Sequence, residues 1–141
     1  MFWNKKREQQ EKFKSLEMAI CTLLIHAAKA DGKFEDQEKK LIRKFLIELE
    51  IKDENYLDEL IKFCIKKEEQ SIEILNMTKE IKKLKYEERL YIIELIVKII
   101  YSDQQLCHFE DRLLRKISGL IYIEDQDLGI IKKNIKNDVH R

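Results

Sequence analysis

The stretch Asp31-Gly32-Lys33-Phe34-Glu35-Asp36-Gln37-Glu38 decides the reading of this chain: it is a turn between two helical patterns, and a degraded copy of it runs from Asp103 to Glu110. Sliding the sequence along itself by 72 positions pairs Leu23 with Leu95, Asp31 with Asp103, Glu38 with Glu110, Leu41 with Leu113, Arg43-Lys44 with Arg115-Lys116 and Ile51 with Ile123, without a gap. Such self-similarity sets architecture before any local propensity is weighed. It predicts two related helical hairpins facing one another.

Working outward from the first turn, apolar residues at Leu16, Ile20, Leu23, Leu24 and Ala27 predict a helix over 15–30, with Ser15 as N-cap and Gly32 as its C-terminal stop. Leu41, Ile42, Phe45 and Leu49 predict its partner over 35–50. A third helix is expected from the N-cap Asp53 to Glu69, burying Tyr56, Leu57, Leu60, Ile61 and Cys64, and a weaker one over 71–84. The stretch 86–102 is apolar nearly all round, which predicts a central buried helix. Its partner covers 107–120, and a last helix 125–136 is anchored by Leu128, Ile131 and Ile135, with fraying after Asn137. Residues 1–14 form an amphipathic segment carrying Phe2, Trp3 and Phe13 among basic side chains; residues 15–137 are expected to form one domain.

Composition agrees. With 141 residues, Gly 3 and Pro 0, the chain suits long helices joined by short turns, so the fold class is all-α, about seven helices in two pseudo-symmetric hairpin repeats. Lys+Arg 28 against Asp+Glu 27 gives a net charge of +1, which lacks the broad positive field that nucleic-acid binding needs. Cys21, Cys64 and Cys107 are scattered and odd in number, as in a reducing cytoplasm, and no apolar run reaches the length of a membrane span.

Four carboxylates stand where acids are unexpected. Asp31 prolongs the row Ile20, Leu23/Leu24, Ala27 by one turn, and Asp103 prolongs Ile93, Ile96, Ile99/Ile100. Glu38 lies between Phe34 and Leu41/Ile42, and Glu110 between Leu106 and Leu113/Leu114, so both are expected to face inward. Gathered between the repeats, these acids would repel and lose hydration unless something balances them. A hard divalent cation such as Ca²⁺ or Mg²⁺ would do so through oxygen ligands. Alternatively the acids cap helices, with Arg43 and Arg115 as internal counter-charges. A Glu three residues past the N-cap can close a capping box, although Glu35 and Cys107 are poor N-caps.

An EF-hand is excluded, because its first and third ligand positions would be Ala27 and Lys29. Cys107-His108 could suggest a nucleophile or soft-metal pair, but adjacent side chains on a starting helix point apart. His26 reads as a hydrogen-bonded core or groove histidine, Cys21 and Cys64 as core, and Lys66-Lys67-Glu68-Glu69 as a solvated face. Arg89 is placed to meet a core acid.

With both turns in view, the chain resembles the TerB-like family of tellurite-resistance-associated helical proteins. The resemblance is carried by Ala30-Asp31-Gly32-Lys33-Phe34 with Glu38, Met77-Thr78 ahead of Tyr86-Glu87-Glu88-Arg89, and Ser102-Asp103 with Leu106 and Glu110, with Gln104 and Cys107 as departures. It implies a two-halved all-α domain linked to metal or oxyanion stress and to protein partners at the inner membrane face, with no established catalysis. The resulting expectation is a noncatalytic cytoplasmic binding or scaffold domain, with Asp31, Glu38, Asp103 and Glu110 as a metal site. A ligand-free protein–protein interaction module is the alternative. A metal-dependent hydrolase is a second, lacking a nucleophile and a phosphate loop.

Overall fold

The described part of the chain, residues 14–29, 34–51, 53–69, 74–103 and 108–139 of a computed structural model, is helical with no strand. In chain order the helices are α1 Ser15–Ala28, α2 Asp36–Glu48, α3 Glu54–Glu69, α4 Ile74–Lys82, α5 Tyr86–Ile100, α6 His108–Leu120 and α7 Asp125–Val139, with a 3₁₀ turn Tyr101–Asp103 after α5. The all-α expectation therefore holds. The amphipathic stretch expected at the start of the chain lies, up to residue 13, outside the described residues.

α5 is buried as its composition predicts, with Ile92, Ile93, Leu95, Ile96, Val97, Ile99 and Ile100 all withdrawn from water. α1 departs from expectation. Instead of burying one stripe it is covered on nearly every side, by α2, α3, α4 and α5. Between Met18 and Ala28 its one ionisable group besides Cys21 is His26, and the small residues Ala19, Cys21, Thr22 and Ala28, all buried, let neighbouring helices come close. The Thr22 hydroxyl meets its hydrogen-bond need by donating to Met18 O at 2.7 Å. Each fully covered Leu or Ile contributes about 1.5–3 kcal/mol of transfer free energy, against the entropy of ordering.

The helix ends explain how the elements are aimed. Lys14, not Ser15, is the N-cap of α1, and Asp53 caps α3 as expected, its Oδ1 accepting from Asn55 N–H at 3.0 Å and Tyr56 N–H at 3.3 Å. α7 continues to Val139, past the expected fraying point. After α2, Glu50 takes a left-handed φ of 71°, and Ile51 N–H bonds back to Leu46 O at 3.1 Å. After α6, Tyr122 takes φ 58°, and Ile123 N–H bonds to Ser118 O at 2.9 Å. These are Schellman-type turns with non-glycine residues in the left-handed position, each followed by a buried isoleucine. They lie 72 positions apart, at Glu50 and Tyr122.

Two tyrosines tie helix starts together. Tyr56 of α3 donates to Glu17 Oε1 at 2.7 Å and accepts from Lys14 N–H at 3.4 Å. Tyr86 of α5 donates to Asp127 Oδ2 at 2.6 Å and accepts from Glu124 N–H at 3.1 Å. α1 and α3 thus begin side by side, as do α5 and α7. At its other end α1 meets the end of α3, where Lys29 Nζ bonds Glu68 Oε2 at 2.7 Å, so the two helices run the same way.

Candidate functional site

Of the four acids singled out in the sequence, Glu38 is the one whose side chain is described. Glu35 is extended at φ −100°, ψ 174°, and Glu38 is the third helical residue of α2. Its Oε2 accepts the Glu35 N–H at 3.0 Å, the return half of a capping box. The carboxylate is half-buried and turned onto its own helix start, not simply into the core. The first amides of a helix lack intrahelical acceptors, and a carboxylate there also complements the helix dipole. A favoured residue at the N-cap is not needed for this half. Glu88 does the same for α5, accepting from Lys85 N–H at 3.3 Å.

Asp31 lies outside the described residues, as do Gly32, Gln104 and Cys107. Asp103 closes the 3₁₀ turn and Glu110 sits in the first turn of α6; their side chains are outside the description. Among the described residues no three His, Cys, Asp or Glu side chains gather as a metal site. A carboxylate that accepts one amide through one oxygen retains a second oxygen that could serve as a ligand.

The turn after α1 has a neighbour that sequence reasoning missed. Glu68, placed on a solvated face, is the least exposed member of an ion-pair cluster, at 12% against 26% for Lys29 and 30% for His26. It accepts from Lys29 Nζ at 2.7 Å and contacts His26 Nδ1 at 3.2 Å. Burial pushes its pKa up, but the hydrogen bonds from Lys29 and His26 outweigh this and hold it below the usual glutamate value. The signal was present: Leu57, Ile61 and Cys64 extend to Glu68 by the row arithmetic that singled out Asp31. His26 is the hydrogen-bonded groove histidine its sequence predicts. The ring of Phe34, at the far side of the turn, lies 5.6 Å from Lys29 Nζ and 5.5 Å from Lys39 Nζ.

The basic residues have partners among the described residues. Arg43 pairs with Asp58 of α3, and Arg115 Nε meets Asp111 Oδ2 at 3.2 Å, where Lys132 also binds the other oxygen at 2.5 Å. Arg89 meets carbonyls in place of the expected acid, donating to Ile121 O at 2.8 Å and Tyr122 O at 3.3 Å over the Tyr86 ring. The end of a helix is a negative pole, so a guanidinium satisfies it as an acid would have satisfied the guanidinium. Cys21 and Cys64 are fully buried, and the hydrogen bond with Cys64, reinforced by burial, holds the Cys21 thiol well above its usual range. Both are core thiols.

Helices packed around the buried pair α1 and α5, with no strand among the described residues, define an all-α domain. The chain belongs to the TerB family: the family model described as Tellurite resistance protein TerB matches residues 17–133. That span takes in α1 through most of α7, and TerB domains are generally non-enzymatic. Comparison with curated proteins and with solved structures gives no match. Among the described residues no helix is long and apolar enough to cross a membrane.

Proposed function

We propose that this TerB-family chain is a noncatalytic binding or scaffold domain whose acidic site, Asp31, Glu38, Asp103 and Glu110, holds a divalent cation, Ca²⁺ or Mg²⁺, between the two hairpins. The cation stiffens the turns of a surface that engages a protein partner in the cytoplasm, at the inner face of the membrane, in the response to metal or oxyanion stress. One observation carries the reading. Leu16, Glu17 and Ile20 near the start of α1, and Glu87, Glu88 and Tyr91 near the start of α5, line a single cleft. Two packed helices of similar length that start together direct the turns after them toward a common far end. This supports convergence of the acids that those turns carry.

A second reading, a ligand-free interaction module, draws on the bond from Glu35 N–H to Glu38, which gives that acid a structural task without any ion.

A melting experiment separates the two. An ion bound only by the folded chain at a hundred times its Kd adds about 2.7 kcal/mol. For a chain of this size that is a rise of about 8 °C, taking roughly 3 °C per kcal/mol. The cation reading expects such a rise with millimolar Ca²⁺ or Mg²⁺ over chelator, and its loss in the Asp31→Asn, Asp103→Asn double variant. Equal melting temperatures with ion and with chelator would leave the ligand-free module.

A further inference from the structure

The first turns of α1 and α5, the residues that follow α2, and Leu84 after α4 enclose a cleft of about 420 Å³. Its floor is apolar, made by residues such as Leu16, Ile20, Leu49 and Ile92, and its charged lining residues are Glu17, Glu87 and Glu88. Among the described residues no Lys or Arg lines it and no cation pairs with those three acids. A fourth carboxylate, Glu48, stands beside it, accepting from the Tyr91 hydroxyl at 3.3 Å. An apolar floor under an acidic rim suits an occupant that combines aromatic and basic side chains.

The chain carries such a segment. Phe2, Trp3 and Phe13 are interleaved with Lys5, Lys6, Arg7 and Lys12, against two acids, Glu8 and Glu11. It joins α1 at Lys14, two positions before Leu16, itself part of the cleft wall. A short tether holds a ligand at an effective concentration on the order of millimolar, so even weak complementarity fills such a site. Thirteen residues span about 20 Å as a helix, and more if extended, enough to cross the cleft.

We propose that residues 1–13 dock in this cleft of their own chain, their aromatic side chains on its apolar floor and their basic residues against Glu17, Glu87 and Glu88. The inference is independent of whether the acidic turns hold an ion.

Trp3 is the chain's one tryptophan, so the fluorescence of the full chain reports on the segment directly. Docking gives Trp3 a blue-shifted emission and acrylamide quenching several-fold weaker than in a synthetic peptide of residues 1–14. Glu87→Lys and Leu84→Asp each move both readings toward those of the peptide. Circular dichroism confirms that each variant is folded; Glu87 is exposed, so its reversal keeps the proposal testable if the Leu84 variant is not. Trp3 as accessible as in the peptide overturns the proposal, as does protection that neither variant alters. Protection lost on dilution would assign the cleft to a second copy, and a blue shift seen only with phosphatidylserine vesicles would assign the segment to a membrane surface; either result overturns docking within the chain.

Discussion

Replacing Glu68 with Gln tests whether the end of α1, and with it the entry to the first acidic turn, is held by a half-buried charge. Glu68 is 12% exposed and accepts from Lys29 Nζ at 2.7 Å and contacts His26 Nδ1 at 3.2 Å. Hydrogen bonds to charged groups contribute about 1.5–3 kcal/mol. Lys29 keeps 26% of its exposure and Gln retains one carbonyl acceptor, so the low end applies, about 1.5 kcal/mol, or a fall of about 5 °C in Tm. The pH dependence has a definite sign. The folded chain holds Glu68 below the ordinary glutamate pKa, so in acid the unfolded state binds more protons and the contribution of this carboxylate falls. Urea melts of both proteins from pH 7 down to pH 3 should show the difference intact above the unfolded pKa, about 4.3, and shrinking as pH falls through the folded value. A double-mutant cycle with Lys29→Met should return a coupling of about 1 kcal/mol. A deficit as large at pH 3 as at pH 7, or a coupling indistinguishable from zero, would refute the ion-pair account.

Two further outcomes rest on the helix ends. Glu50→Gly should raise stability by about 0.5–1 kcal/mol in chemical denaturation, because a side chain in the left-handed region costs about 1–2 kcal/mol and glycine gives back part of that in unfolded-state entropy. No gain would mean that Glu50 makes compensating contacts. Tyr56, whose pKa burial and the Glu17 hydrogen bond push up to about 12, should titrate above the free-phenol value of about 10 in ultraviolet difference spectra. Its raised pKa adds stability that is complete below the unfolded value, about 10, and lost as pH rises through 12. Tyr56→Phe should flatten that alkaline loss, and an unchanged slope would place the effect elsewhere.

Much of the fold was legible because helices announce themselves through a 3.6-residue period. α5 could be read from its apolar run and Asp53 from its cap chemistry. The candidate site was legible as residue types in rows, and there the signal stops. A row says which face a side chain occupies, not what meets it. Glu38 and Glu68 both lay on inward rows; one turns back to the Glu35 amide, and the other is drawn onto a histidine of α1 and the lysine that follows that helix.

By itself the sequence determined the all-α class, the order of the helices, the apolar encirclement of α5 and the membership in the TerB family, since each follows from local spacing or from similarity along the chain. Tertiary structure alone decided that α1 is covered as fully as α5, that Arg89 ends on the carbonyls of Ile121 and Tyr122, and that an acid-rimmed cleft opens where α1 and α5 start. These depend on which helices lie against one another. Partners far apart in the chain are chosen by packing and by satisfaction of charges and amides together, and neither leaves a periodic trace.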